Sequence, residues 1–107
     1  MKALPLIHPG EILLEEFLKP LEISQYRLSK DIGVPPIRIN EIIHAKRSVT
    51  ADTALRLGKY FKTTPEFWLN LQNHFDLDQQ KGVIGEILKL EVKVFEQNSN
   101  RIHLAKK

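Results

Sequence analysis

The chain has 107 residues, enough for one domain, with 42% hydrophobic and 27% charged residues, so it reads as a folded chain and not a disordered one. It has no cysteine, which excludes a disulfide framework, a cysteine zinc site and a thiol nucleophile. Its formal net charge is +3, no apolar run approaches the roughly 18–20 residues that span a bilayer, and the N-terminus, broken by Pro5 and Pro9, is too short for a signal peptide; a cytoplasmic protein is expected.

The pattern predicts five helices joined by short connections. The first covers residues 9–18. Pro9 suits position N1, Glu11 favours the positive end of the helix dipole, and Leu14, Phe17, Leu18 and Leu21 recur at helical spacing before Pro20 marks the end. The second covers residues 25–32, capped by Ser24 and stopped by Gly33. The third covers residues 36–44. The fourth starts at cap Thr50 and runs to about residue 61. The fifth has cap Thr64, Pro65 at N1 and Glu66 behind it, and runs to residue 75 or beyond. The expected core is Leu14, Phe17, Leu28, Ile32, Val34, Ile39, Ile42, Ile43, Leu57, Phe61 and Leu71.

After Asp76 two patterns compete. Val83, Ile87, Leu90 and Val94 fit a helix, whereas Leu88, Leu90, Val92 and Val94 alternate with charged residues as in a strand. The expectation is a helical piece over residues 82–88 followed by a short hairpin over residues 90–104. The chain accordingly divides into a helix-turn-helix domain, residues 1–81, and a C-terminal extension, residues 82–107, that contacts a second copy or a partner.

The charge is unevenly placed. Residues 19–62 carry nine bases against four acids, while residues 1–18 are net acidic and residues 63–107 are balanced. A basic block of this kind is either an electrostatic footprint for a polyanion or a solvated surface. Residues 25–44 favour the first. Leu28 and Ile32 share one helix face, and Ile39, Ile42 and Ile43 share another. Val34 sits in the joint, Ser29 is small where two helices meet, and Gly33 stands where a tight turn needs a positive φ. A plain helical hairpin accounts for the apolar spacing. A DNA-binding helix-turn-helix accounts also for the small residue, the glycine and the basic faces.

In that motif the second helix enters the major groove. Ile37, Arg38, Asn40 and Glu41 are then the candidate base-contacting residues, with His44 on the same outward face. Arg can pair with guanine, Asn with adenine, Glu with cytosine, and Ile37 can cover a thymine methyl. Gln25, Arg27, Lys30, Lys46 and Arg47 are the candidate phosphate contacts, which set register and salt-dependent affinity.

The runs HPGEILLEEFLKPL, SQYRLSKDIGV, RINEI, KRSVTADTALRLGKYF and TPEFWLNLQ resemble the HigA-type antitoxins, also known as virulence-associated protein I, of the Xre-like helix-turn-helix group. The resemblance covers about residues 7–92. It implies an all-α, five-helix, lambda-repressor-like domain and a homodimer that represses its own operator. It also implies a partner toxin, a small basic RelE-like messenger-RNA endonuclease, neutralised by direct binding. The alternative is a stand-alone phage-type regulator with no toxin. Two positions depart from the family pattern: Pro35 stands where a capping Ser is common, and His44-Ala45 where Asn-Gly is common. If Ala45 takes the left-handed conformation, that costs roughly 1–2 kcal/mol relative to glycine.

Catalysis, a metal and a cofactor are not expected. His8, His44, His74 and His103 fall in different elements without ligand spacing. Glu15 and Glu16 are adjacent and so point about 100° apart on a helix. Gly82 and Gly85 form no phosphate loop. For a two-fold dimer the candidate seam residues are Trp68, Phe75, Leu88 and Val92; Phe67 and Trp68 cannot share a face, so one of them is a candidate partner anchor.

Overall fold

The computed structural model describes residues 6–96. The termini, including the expected hairpin's Ile102 and Leu104 and also His103, lie outside the described residues.

The first helix, α1, covers residues 9–21. It is α-helical over Pro9–Ile12 and Lys19–Leu21, with a π-helical stretch Leu13–Leu18 between. Pro20 is the physical reason. In regular α geometry its ring collides with the carbonyl of Glu16, and it has no N–H to donate. Widening the preceding turn relieves the collision, and Lys19 N–H then reaches Leu14 O. The wider turn also rotates the apolar face. Leu13 and Leu18, five residues apart, are buried, while Leu14 and Phe17 are half-buried and Leu21 is exposed.

Helices α2 (Gln25–Ile32) and α3 (Pro36–Ile43) follow as a tight pair, then α4 (Ala51–Phe61) and α5 (Pro65–Glu91). Ser24 Oγ accepts from Arg27 N–H at 3.0 Å and Thr64 Oγ1 from Phe67 N–H at 3.1 Å, as their cap positions require. Thr50 makes no side-chain cap bond. The cap of α1 is unexpected: His8 Nδ1 accepts from Gly10 N–H at 2.9 Å.

The core is Leu13, Leu18, Leu28, Ile32, Val34, Ile39, Ile42, Val49, Ala54, Leu57 and Trp68. Six of the expected core residues, Leu28, Ile32, Val34, Ile39, Ile42 and Leu57, are therefore inside. Leu14, Phe17, Ile43, Phe61 and Leu71 pack half-buried against them. Trp68 is fully enclosed. Its ring centroid lies 5.0 Å from that of Phe17 and its Nε1–H donates to Thr63 Oγ1 at 2.9 Å. Burial of this kind removes Trp68 from any seam between copies, and the exposed member of the pair is Phe67.

Helix α5 corrects the reading of the C-terminal part. Residues 76–91 continue one helix without a joint at residue 81, and Leu90 is helical, not extended. No strand occurs among the described residues. At about 1.5 Å per residue this helix is roughly 40 Å long, and the molecule measures 57 × 28 × 24 Å. Its second half overhangs the bundle and leaves Val83, Ile87, Leu88 and Leu90 at the surface.

Candidate nucleic-acid interface

The angle between α2 and α3 is made by a three-residue turn. Gly33 closes α2 at φ 74°, a left-handed conformation that glycine takes without Cβ strain. Gly33 N–H bonds to Lys30 O and Val34 N–H to Ser29 O, while Val34 turns its side chain into the core. Ser29 is 1% exposed and its hydroxyl donates back to Tyr26 O, so it fills the crossing without an unpaired polar atom. Arg56 of α4 donates to Ile32 O at 2.7 Å and to Gly33 O at 3.3 Å, satisfying carbonyls at the end of α2. Its other contact, to Asp52 at 2.6 Å, holds the Asp52 carboxyl below the usual carboxylate range.

Pro36 occupies N1 of α3, and Pro35 before it offers no capping oxygen. The far end of α3 closes with Ala45 N–H on Ile42 O and Lys46 N–H on Glu41 O, Ala45 standing at φ 59°. The left-handed position that the sequence raised as a condition is thus occupied by an alanine. The N-terminus of α1 backs this end directly: a Cβ on Gly10 would run into the Ile42 carbonyl.

With Ile39 and Ile42 inward, α3 presents Ile37, Asn40, Glu41 and His44 on its outer side. Ile37 is 60% exposed, too much for a core residue and suited to covering an apolar base edge. Asn40 Nδ2 donates to Gln25 Oε1 at 3.3 Å, so the first residue of α2 orients a side chain of α3. Glu41 is paired with Arg47, at 2.7 Å from Nη2. Lys46 and Arg47 follow α3 and flank the same outer side; Lys46 has no ion pair among the described residues.

Arg38 departs from its expected place. Its Nη1 lies 3.5 Å from Asp52 and donates to Thr53 Oγ1 at 3.4 Å, so the guanidinium is turned to α4 and away from the outer face. Arg27 and Lys30 also stand apart from Asn40. Arg27 is about 200° round the axis from Gln25 and pairs with Asp31 at 3.3 Å. The Tyr60 hydroxyl donates to the same carboxyl at 2.6 Å, and that bond is the main influence holding Asp31 low and raising Tyr60. Lys30 lies over the Tyr26 ring, 5.6 Å from its centroid. The structure thus places Gln25, Ile37, Asn40, Glu41, Lys46 and Arg47 together, with Arg47 paired to Glu41 within that group, whereas Arg38, Arg27 and Lys30 contact residues outside it.

The remaining seam candidates are placed as follows. Leu88 and Val92 are exposed, and Phe75 is half-buried with its ring edge-on to His8 at 4.9 Å. No group of acidic and histidine side chains that could hold a metal occurs among the described residues, and no helix there is long and apolar enough to cross a membrane.

The helix-turn-helix family model matches residues 14–68. Virulence-associated protein I of Dichelobacter nodosus is 50% identical over 90 residues, 81% of this chain and 83% of that protein. An addiction module antidote protein of the HigA family from Coxiella burnetii superimposes with a TM-score of 0.82 at 44% identity, covering 86% of this chain and all of that one. The Pseudomonas aeruginosa antitoxin HigA, solved with the higBA promoter, superimposes with a TM-score of 0.82 at 37% identity, covering 86% of this chain and all of that one.

Proposed function

The chain belongs to the HigA-type, Xre-like family of helix-turn-helix proteins, and from that premise we propose that it is a DNA-binding antitoxin that represses its own operon and neutralises a toxin. The observation that carries the DNA half is the outer face of α3. Ile37, Asn40 and Glu41 are presented together, Gln25 orients Asn40, and Lys46 and Arg47 stand beside them for phosphates. A relative of matching fold solved with promoter DNA supports a DNA partner for this fold. Base contacts from Asn40, Glu41 and Ile37 supply selectivity, and the cations supply affinity that falls with salt. Arg38 contributes by holding α3 against α4.

One reading helix covers too little sequence to select an operator. Two copies on half-sites about one helical turn apart, roughly 34–36 Å, double the readout. The overhanging half of α5 with Leu88, continued by Val92 just past its end, is the seam we assign to such a homodimer. The toxin half of the reading rests on the family: the expected partner is a small basic RelE-like messenger-RNA endonuclease, bound directly. The chain's own role is binding, in the cytoplasm and on the nucleoid, with no chemical step.

The test is coexpression. The reading frame beside this one is expressed alone and together with this chain, and cell growth and complex formation are measured. Growth arrest by the neighbour alone, relieved by this chain through a co-purifying complex, is the expected result. If no neighbouring frame arrests growth while the chain still binds its upstream duplex, it is a stand-alone regulator and the toxin half fails.

A further inference from the structure

The segment that carries Lys46 and Arg47 is fastened at both ends. Its near end is closed by the backbone bonds of Ala45 and Lys46 to α3. Its far end depends on one side chain of α5. Val49 N–H, on a residue only 3% exposed, donates to Gln72 Oε1 at 2.7 Å. Gln72 is itself 4% exposed. Its amide is kept from turning over, because Nε2 donates to Asp76 Oδ1 at 3.0 Å and a carboxylate can only accept. Asp76 thus aims the oxygen of Gln72 at the loop. His8 and Phe75 stand at the same cleft as Lys46 and Arg47.

We infer that Gln72 is a positioning residue for DNA binding, holding Lys46 and Arg47 at the end of the reading helix through the Val49 amide, with Asp76 orienting it. This rests on the reading of Lys46 and Arg47 as phosphate contacts. Gln72 touches no nucleic acid. Without its oxygen the Val49 N–H is left buried and unpaired, which is unfavourable, or the loop lifts until water reaches it. In the lifted state Lys46 is no longer held beside α3 and Arg47 keeps only its ion pair with Glu41, so phosphate contacts are lost. Helix α5 therefore serves both the overhanging apolar face and the grip on DNA.

The experiment is a salt titration of binding to a random-sequence duplex, at a temperature where circular dichroism shows each variant folded. The Lys46→Ala/Arg47→Ala double variant calibrates it, with an expected fall in the slope of log affinity against log salt of about 1.8, at about 0.9 per lost contact. Gln72→Met fills the same space without an acceptor and is expected to lower the slope by about 0.9–1.8. Gln72→Glu/Asp76→Asn exchanges the donor and acceptor between the two residues at constant net charge and is expected to restore the wild-type slope. A purely structural role for Gln72 would lower the melting temperature and leave the slope alone. In the wild type the Val49 amide should exchange with solvent as slowly as amides in the middle of α5.

If the calibrating variant keeps the wild-type slope, the interface reading falls and this inference falls with it. If that variant loses slope while Gln72→Met does not, or if the exchange variant behaves like Gln72→Met, only this inference is overturned. Rapid exchange of the Val49 amide in the wild type overturns it independently of how any variant folds.

Discussion

Asn40 on α3 donates its amide N–H to Gln25 on α2, at 3.3 Å. The bond spans the two halves of the motif and leaves the Asn40 oxygen and a second N–H for a base edge. Asn40→Ala is expected to cost about 1–3 kcal/mol on the preferred duplex and little on random sequence. Gln25→Ala should relax the same base position more weakly, because it removes the orientation and not the contact. Competition binding between the two duplexes measures both.

Arg38 is expected to behave differently. Its guanidinium is engaged by Asp52 and Thr53, so Arg38→Ala should lower the melting temperature. Combined with Asp52→Asn the loss should be less than additive, since both variants remove the Arg38–Asp52 contact, although Asp52→Asn also weakens the pair with Arg56. Full additivity, with a loss of base preference and no loss of stability, would put Arg38 back on the groove side.

Ala45 at φ 59° is strained by about 1–2 kcal/mol relative to glycine. Ala45→Gly relieves this and frees the unfolded chain by about 0.4–1 kcal/mol. The net expectation is stabilisation of about 0–1.6 kcal/mol, read as a higher urea midpoint at unchanged slope.

Gly10→Ala acts in the opposite sense. The added methyl meets the Ile42 backbone, which cannot swing aside as a side chain could. Overpacking of this kind costs about 1–3 kcal/mol. Because the displaced segment is the end of α3, DNA affinity should fall together with stability. An unchanged melting temperature would show that α1 and α3 are not so closely seated.

His8 gives the fold a pH dependence. Its neutral Nδ1 accepts from Gly10 N–H, and burial holds its pKa below the ordinary 6.5, with Asp76 of α5 pulling the other way. Lys46 and Arg47 face the same cleft from the loop. The unfolded chain therefore takes up this proton at higher pH than the folded one. The His8 contribution is full above pH 6.5 and is lost as pH falls through that value towards the lower folded one. His8→Asn keeps a capping oxygen and removes the titration. Urea midpoints measured across this range should fall less in His8→Asn than in the wild type.

The helix-turn-helix was legible because each of its requirements has its own residue type. Ser24 caps, Gly33 turns, Val34 plugs the joint, and Ile39 and Ile42 recur at helical spacing. The core of α1 was misplaced by one residue because a proline near the helix end forces a π-turn, and a 3.6-residue period does not anticipate one. The His8 cap was missed because histidine is not among the usual capping residues, although HPGE stands at the helix start. The overhanging half of α5 was ambiguous for a physical reason. A helix face with nothing packed on it among the described residues has no burial pattern to distinguish it from an alternating strand. Long-range partners were not visible at all: Arg38 and Asp52 are 14 positions apart and Val49 and Gln72 are 23 apart.

The most direct test of α3 as the reading helix is a nuclear magnetic resonance titration of isotope-labelled protein with the duplex upstream of its own reading frame. The largest shifts are expected at the amides of Ile37, Asn40, Glu41, Lys46 and Arg47 and at the side-chain amides of Asn40 and Gln25, with Arg27 and Lys30 little affected. Shifts confined to α5, or spread over Arg27 and Lys30 with α3 unmoved, would contradict the account.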